Sequence, residues 1–143
     1  MEKVTTKKEL RVVAENRIGI LAEVTGLVAN QGVNIENVCA YVSEKKAILH
    51  LITNDNDKAR HALEGKGYQI EEDEVIVLLL WNRPGALSEV AALFKNKGLD
   101  LQYVYGTTSP EGAAMTVVFY PDDDHKALES FETMILRSAE HWL

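Results

Sequence analysis

Two short stretches contain residue types that are suited to binding a carboxylate. Residues 16–21 read NRIGIL, and residues 82–87 read NRPGAL. Each stretch has an Asn, which offers hydrogen-bond donors and an acceptor, and an Arg, which can hold a carboxylate through two parallel hydrogen bonds. Each also has a Gly, where the absent Cβ lets backbone approach a ligand closely. We interpret both stretches as candidate binding loops.

The same residues also have structural interpretations, which the sequence leaves open. Asn16 and Asn82 are typical turn or helix-capping residues. Arg17 and Arg83 are equally suited to pairing with a Glu on their own surface. A Gly between a strand and a helix often serves the backbone alone.

The loops recur because the chain contains an internal repeat. Residues 10–41 align without a gap to residues 76–107, and ten of the 32 pairs are identical. Chance would match about one or two pairs. The first-copy members of the identical pairs are Asn16, Arg17, Gly19, Leu21, Glu23, Val24, Leu27, Asn30, Gly32 and Val38. The offset of 66 residues is close to half the chain, so the sequence predicts two copies of one small unit.

Each copy predicts the order β-α-β-β-α-β. In the first copy we expect strands at 9–14, 33–42 and 47–53, a helix between Gly19 and Gly32, a second helix from 54 to about 66, and a strand from 68 that runs into the second copy. In the second copy we expect strands at 74–81, 99–107 and 113–120, a helix between Gly85 and Gly98, and a further helix from about 121. We therefore predict an α+β fold: two ferredoxin-like βαββαβ units with antiparallel sheets, packed side by side, spanning residues 1–72 and 73–143.

The end of the second copy allows two interpretations. Repeat symmetry favours a short fourth strand at 134–137. The spacing of Leu128, Phe131 and Ile135 instead fits a helix that continues toward the C-terminus.

Composition excludes several classes of function. The net charge of −7 opposes binding to nucleic acid or to anionic membranes. The single cysteine, Cys39, cannot form an intrachain disulfide, which favours a reducing, cytoplasmic setting, and no apolar run is long enough to span a bilayer. The four histidines have no ligand spacing and no nucleophile has a triad context. We predict no metal, no cofactor and no catalysis.

Two segments carry a resemblance to a known family. ENRIGILAEVTGLVANQGVNIENV (15–38) and WNRPGALSEVAALFKNKGLDLQYV (81–104) both resemble the ACT domain. This family of small ferredoxin-like modules typically binds amino acids and regulates metabolic enzymes. The resemblance covers nearly the whole chain, twice, and implies a stand-alone tandem ACT protein.

The resemblance also implies a site at the interface between the two units. Its contacts come from the loop before each first helix and from the residue that starts each second strand. The matching residues are Asn16, Arg17, Ile18, Gly19, Ile20 and Asn34 in copy one, and Asn82, Arg83, Pro84, Gly85, Ala86, Leu87 and Asp100 in copy two. An ionised Asp100 only accepts hydrogen bonds, whereas Asn34 also donates them, so we expect two unequal sites. Asn34 also has a structural interpretation, as a cap at a strand edge.

The function that follows is a non-catalytic, amino-acid-binding regulatory protein. Ligand binding would be coupled to assembly or to a partner metabolic enzyme, and exposed sheet edges favour a homodimer. The alternative is a subunit that assembles with a metabolic enzyme without binding a ligand. A third interpretation, an enzyme, is opposed by the absence of a converging acid/base or nucleophile set in the sequence, and we expect no nucleic-acid or membrane partner.

Overall fold

The computed structural model describes residues 3–107, 109–123, 126, 127 and 129. The elements, in chain order, are β1 (Lys3–Glu15), α1 (Ile20–Asn30), β2 (Ile35–Ser43), β3 (Lys46–Thr53), α2 (Asn56–Leu63), β4 (Gln69–Trp81), α3 (Ala86–Asn96), β5 (Leu101–Gly106) and β6 (Ala114–Pro121). The predicted α+β class and its ferredoxin-like repeat are confirmed. As the sequence predicted, β4 runs without a break from the first copy into the second.

The chain divides into two compact units. One, the N-terminal unit, comprises Lys8–Asp73; the other, the C-terminal unit, joins the chain before Lys8 to the chain from Glu74 onward. Both boundaries between the units cut through a 13-residue strand. Part of β1 and part of β4 therefore belong to each unit. The boundary at 73/74 lies inside β4, and the early residues of β1 are grouped with the later half of the chain.

The N-terminal unit has the strand order β2-β3-β1-β4. Strands β1 and β3 are antiparallel, with Leu10 opposite Leu51, and β2 pairs with β3 from Ile35 opposite Thr53 to Ser43 opposite Lys46. The apolar core of this unit is formed by alternate residues of these strands and by the inner faces of α1 and α2. It includes Leu10, Val12, Val24, Val28, Leu49, Leu51, Ala59 and Leu63.

The C-terminal unit repeats this plan with the order β1-β4-β6-β5. Its core includes Ile76, Leu78, Leu80, Val90, Phe94 and Phe119. Val4, near the start of β1, packs against this core, so the start of β1 lies beside β4 where a fourth strand of the repeat would run. The fourth strand or continued helix that we expected near residues 134–137 lies outside the described residues.

The buried face of the first helix in each copy begins at the first helical residue and repeats every fourth residue. Ile20, Val24 and Val28 are buried on α1, whereas Leu21 is 49% exposed. On α3, Ala86 is buried and Leu87 is 48% exposed. Leu21 and Leu87 occupy the second helical position and therefore lie beside this buried face.

Candidate functional site

The loop between β1 and α1, residues 16–19, ends at a glycine that sets the direction of the helix. Gly19 has a φ of 87°, in the left-handed region that residues with a Cβ rarely adopt. Its carbonyl accepts from the Glu23 N–H at 3.0 Å, and the Ile20 N–H donates to the Arg17 carbonyl at 3.2 Å. The N-cap residue of α1 is Gly19 itself, so no side-chain cap bond is made from that position in the described part of the chain.

Arg17 is engaged by its own helix. Its guanidinium pairs with the Glu23 carboxylate, and the Tyr68 hydroxyl donates to the other oxygen of that carboxylate. The hydrogen bond from Arg17 and then that from Tyr68 lower the pKa of Glu23, while the bond to Glu23 raises the pKa of Arg17. Burial and the bond to Glu23 raise the pKa of Tyr68 to about 12. Tyr68 thus ties the loop and α1 to the start of β4.

The second copy repeats the ion pair. Arg83 donates to both oxygens of Glu89, at 3.2 and 2.6 Å. Here also the hydrogen bond raises the pKa of the arginine and lowers that of the glutamate. Both arginine side chains therefore pair with a glutamate on their own surface, which was the structural alternative to ligand binding.

The two asparagines of the loops differ in their bonding. The Asn82 side chain donates from Nδ2 to the Ser109 carbonyl at 2.7 Å, and its backbone binds the β5–β6 connection through Ala113 and Gly112. The Asn16 backbone N–H donates to the Lys45 carbonyl at 3.2 Å. In contrast, the Asn16 side chain is exposed and makes no hydrogen bond within the described part of the chain. Of the two loop amides, the one on Asn16 is open to a ligand.

The apolar residues predicted to line the site separate into two groups. Ile18 is fully exposed at the tip of its loop, Pro84 is exposed, and Leu87 is half exposed. Ile20 and Ala86 are buried in the cores of their own units. Only the first group can touch a ligand without a change in the loop.

Asn34, at the start of β2, forms a reciprocal pair of hydrogen bonds with Asn54, which follows β3. The Asn34 N–H donates to Asn54 Oδ1 at 2.9 Å, and the Asn54 N–H donates to the Asn34 carbonyl at 3.1 Å. We call this arrangement the N-terminal clasp.

The C-terminal clasp is the same arrangement between Asp100 and Asp122. The Asp100 N–H donates to Asp122 Oδ1 at 3.1 Å, and the Asp122 N–H donates to the Asp100 carbonyl at 2.9 Å. The second carboxylate oxygen of Asp100 accepts from Gln102 Nε2 at 3.2 Å. The two clasps thus share their backbone geometry but differ by two carboxylates.

Within one unit, the loop and the clasp lie at opposite ends of the sheet. Asn16 contacts the turn that follows Ser43, at the Lys46 end of β3, whereas Asn34 lies beyond the Thr53 end. Seven residue steps of β3 separate these ends, roughly 23 Å at about 3.3 Å per residue. The structure therefore does not bring Asn16 and Asn34 of one unit together, nor Asn82 and Asp100.

Sequence reasoning missed Asn54, Asp122, Tyr68 and Ser109 as partners of the predicted site residues. Asn54 and Asp122 were interpreted only as the acidic or polar start of a helix. Their equivalence is offset by 68 residues rather than 66, so an ungapped comparison does not align them. Matching the ends of the third strands would have revealed the pair.

Two further observations apply to the described residues only. No group of three or more His, Cys, Asp or Glu side chains there could hold a metal ion. No helix there is both long and apolar enough to cross a membrane. Cys39 is half-buried, and burial raises the pKa of its thiol.

Comparison with family models finds one match, which lies within the N-terminal unit. Residues 10–65 match the model of the AHAS small subunit-like ACT domain. The match includes the β1–α1 loop and Asn34, and it agrees with the resemblance that the first copy carries. A search of curated proteins finds no match to the chain.

Solved structures with a similar fold extend over both units. The chain is similar to protein BT0572 from Bacteroides thetaiotaomicron, with 27% identity, a TM-score of 0.83, and coverage of 92% of this chain and 90% of that one. The regulatory subunit of aspartate kinase from Thermus thermophilus has 14% identity and a TM-score of 0.65, with 91% and 95% coverage. That from Thermus flavus has 14% identity and a TM-score of 0.62, with 92% and 94% coverage. The likeness to the kinase subunits concerns the fold.

Proposed function

We propose that this protein is a non-catalytic, amino-acid-binding regulator of the ACT type. The observation that carries the proposal is the ACT match over residues 10–65, which spans the loop residues Asn16 to Ile20 and also Asn34. Both kinds of element from which a ligand contact was expected are therefore inside the recognised domain.

The bonding of the first loop supports a ligand there. An amino acid carries a carboxylate and an ammonium on one carbon. The open Asn16 amide has donors for the first group and an acceptor for the second, and the uncapped start of α1 favours a negative charge. The side-chain donors of Asn82 are already partly used by Ser109. We propose that the N-terminal copies of these elements, Asn16 to Ile20 and Asn34, bind more strongly than Asn82 to Leu87 and Asp100.

The distance within a unit constrains how the ligand is held. The loop and the clasp of one unit are about 23 Å apart, at roughly 3.3 Å per residue, which is far longer than an amino acid. A ligand that contacted both kinds of element would therefore take them from two different ACT units. Binding would then stabilise whichever association of units brings the two elements together.

The regulatory role rests on the similar proteins. Two of them are named regulatory subunits of aspartate kinase, so a partner enzyme of amino-acid metabolism fits this chain. A coupling of about 1–3 kcal/mol between ligand and partner would change the affinity several-fold. A cytoplasmic location and a homodimer stay predictions from the sequence.

One observation favours the alternative, a subunit that acts without a ligand. Arg17 and Arg83 each form an ion pair with a glutamate of the following helix. Both guanidinium groups are therefore already occupied by a carboxylate of the protein itself. In this alternative the loops only join strand to helix.

A thermal-shift screen with the twenty amino acids, one at a time, tests the proposal. Ligand at a hundred times Kd adds about 2.7 kcal/mol of stability, which raises Tm by a few degrees at this size. We expect one amino acid or a small group of them to give this shift. A uniform absence of shifts across all twenty would contradict the proposal and favour the ligand-independent alternative.

A further inference from the structure

We propose that Asn54 determines the charge of the ligand group that the N-terminal clasp accepts, and that this group is a carboxylate. This inference rests on the proposed function, because it takes Asn34 as a ligand contact. Asn54 is then a positioning and specificity-determining residue at a place where the sequence indicated only a helix start.

The hydrogen bond to Asn34 fixes the role of each polar atom of Asn54. Because Oδ1 accepts from the Asn34 N–H at 2.9 Å, the remaining atom of that side chain is Nδ2, a donor. The side-chain amide of Asn34 adds a second NH₂ group. In the part of the chain that the structure describes, neither Nδ2 donates a hydrogen bond to the protein. The N-terminal clasp therefore offers donors to an acceptor-rich group such as a carboxylate.

The C-terminal clasp offers the reverse chemistry with the same backbone. Asp122 Oδ1 accepts from the Asp100 N–H as Asn54 Oδ1 does from Asn34, but its other atom is a second carboxylate oxygen. Asp100 adds another carboxylate, so this clasp presents acceptors only and repels an anion. Asn54 and Asp122 thus differ in one terminal group of the side chain, which is NH₂ in Asn54 and a carboxylate oxygen in Asp122.

The clasp also holds Asn34 in place beyond the end of the ladder. The β2–β3 register shifts between Ile35 and Asn37, and Asn34 precedes this irregularity, just before the first paired residue of β2. Its backbone is fixed there by the two bonds to Asn54. Loss of Oδ1 would free Asn34, whereas a change of Nδ2 to oxygen would keep its position and alter only the charge.

The substitution Asn54→Asp makes that single change. The shape and Oδ1 are retained, as the C-terminal clasp shows they can be, so we expect Tm to stay within about 2 °C. We expect calorimetry with each amino acid that binds the wild type to show about tenfold weaker binding, from one added charge near the ligand carboxylate. The loss should shrink at high salt, which screens the repulsion, and should be smaller for the carboxamide of the same amino acid.

Two variants separate charge from position. Asn30→Asp adds the same charge at the last residue of α1, and should leave binding unchanged. Asn54→Ala removes Oδ1 and should weaken binding by an amount that salt does not restore.

The outcomes distinguish this inference from the proposed function. Two results would overturn the role of Asn54 while leaving amino-acid binding by the wild type in place. In the first, Asn54→Asp binds the amino acid as tightly as the wild type does. In the second, Asn54→Asp binds more weakly, but the loss of affinity is the same at every salt concentration. If none of the twenty amino acids binds the wild type, both are overturned.

Discussion

The Asn82 side chain donates to the Ser109 carbonyl at 2.7 Å, whereas Asn16, its counterpart in the repeat, has no such bond among the described residues. One amide therefore serves the fold, and the other is open for binding. The repeat preserved the residue at both positions, but its two copies use that residue differently.

This difference predicts that substitution by alanine affects stability unequally at the two positions. Asn82→Ala removes the bond to Ser109 and should lower the free energy of unfolding by about 1 kcal/mol. Asn16→Ala should change it by less than about 0.5 kcal/mol, since this exposed side chain makes no hydrogen bond to the residues that the structure describes. Urea denaturation of the two variants measures both values. Equal losses would show that the Asn16 amide also has a structural role.

Tyr68 should make stability depend on pH in the alkaline range. Its folded pKa, about 12, lies above the ordinary value of 10, because burial and the bond to Glu23 favour the neutral hydroxyl. Its contribution is therefore fully present below pH 10 and is lost as the pH rises toward 12.

Tyr68→Phe is the matching variant. It should remove this part of the alkaline loss of stability, measured by urea denaturation between about pH 9 and pH 12. Absorbance titration should also lose one tyrosine that ionises near pH 12. An unchanged stability profile in Tyr68→Phe would mean that other groups cause the alkaline loss.

The first residues of β1 should stabilise the C-terminal unit rather than the N-terminal one. Val4 is partly buried against the core that contains Ile76 and Phe119. Val4→Ala should therefore cost about 1 kcal/mol and raise hydrogen exchange in residues 74–81 and in β6. Exchange in α1 should not change, and Thr6→Ala, at an exposed position, is the control. Faster exchange confined to the N-terminal unit would contradict this grouping.

The turn between β2 and β3 should be stabilised by glycine. Glu44 and Lys45 have φ values of 50° and 65°, and residues with a Cβ are strained in this region. Lys45→Gly should raise the free energy of unfolding by about 1 kcal/mol, whereas Lys46→Gly, in β3, should lower it. Denaturation of the two variants is the measurement, and a loss of stability in both would show that the turn is not strained.

Much of the fold was predictable because it depends on local patterns. Apolar alternation and helical spacing located the strands and helices of both copies. Gly19 and Gly85 marked the helix starts, and both have φ values near 90°. The ends were less predictable: β1 begins at Lys3 rather than near Glu9, since its charged early residues hide the strand pattern.

Long-range polar pairs were not predictable from the sequence. Glu9 and His50 are both buried, with Oε1 of Glu9 3.0 Å from Nδ1 of His50, and the Tyr41 hydroxyl lies 2.9 Å from His50 Nε2. The sequence does not indicate that Glu9 or His50 is buried, because glutamate is mostly exposed in proteins and histidine is only intermediate in burial. The two residues are also far apart in the chain.

For the candidate site, the sequence suggested residues but not their contacts within the fold. The repeat identified Asn16, Arg17 and Asn34, but only the structure revealed that Glu23 holds Arg17 and that Asn54 holds Asn34. Spacing along a chain does not determine which of several nearby partners a long or polar side chain selects.

Isothermal titration calorimetry of the wild type with each of the twenty amino acids tests the central claim most directly, with Asn16→Ala and Asn82→Ala titrated in parallel. We predict saturable binding of at least one amino acid, with a micromolar Kd, or about −8 kcal/mol. Asn16→Ala should weaken it about tenfold, which equals the loss of one good hydrogen bond, and Asn82→Ala should weaken it less. Heats that stay at the level of dilution for all twenty amino acids would contradict the account.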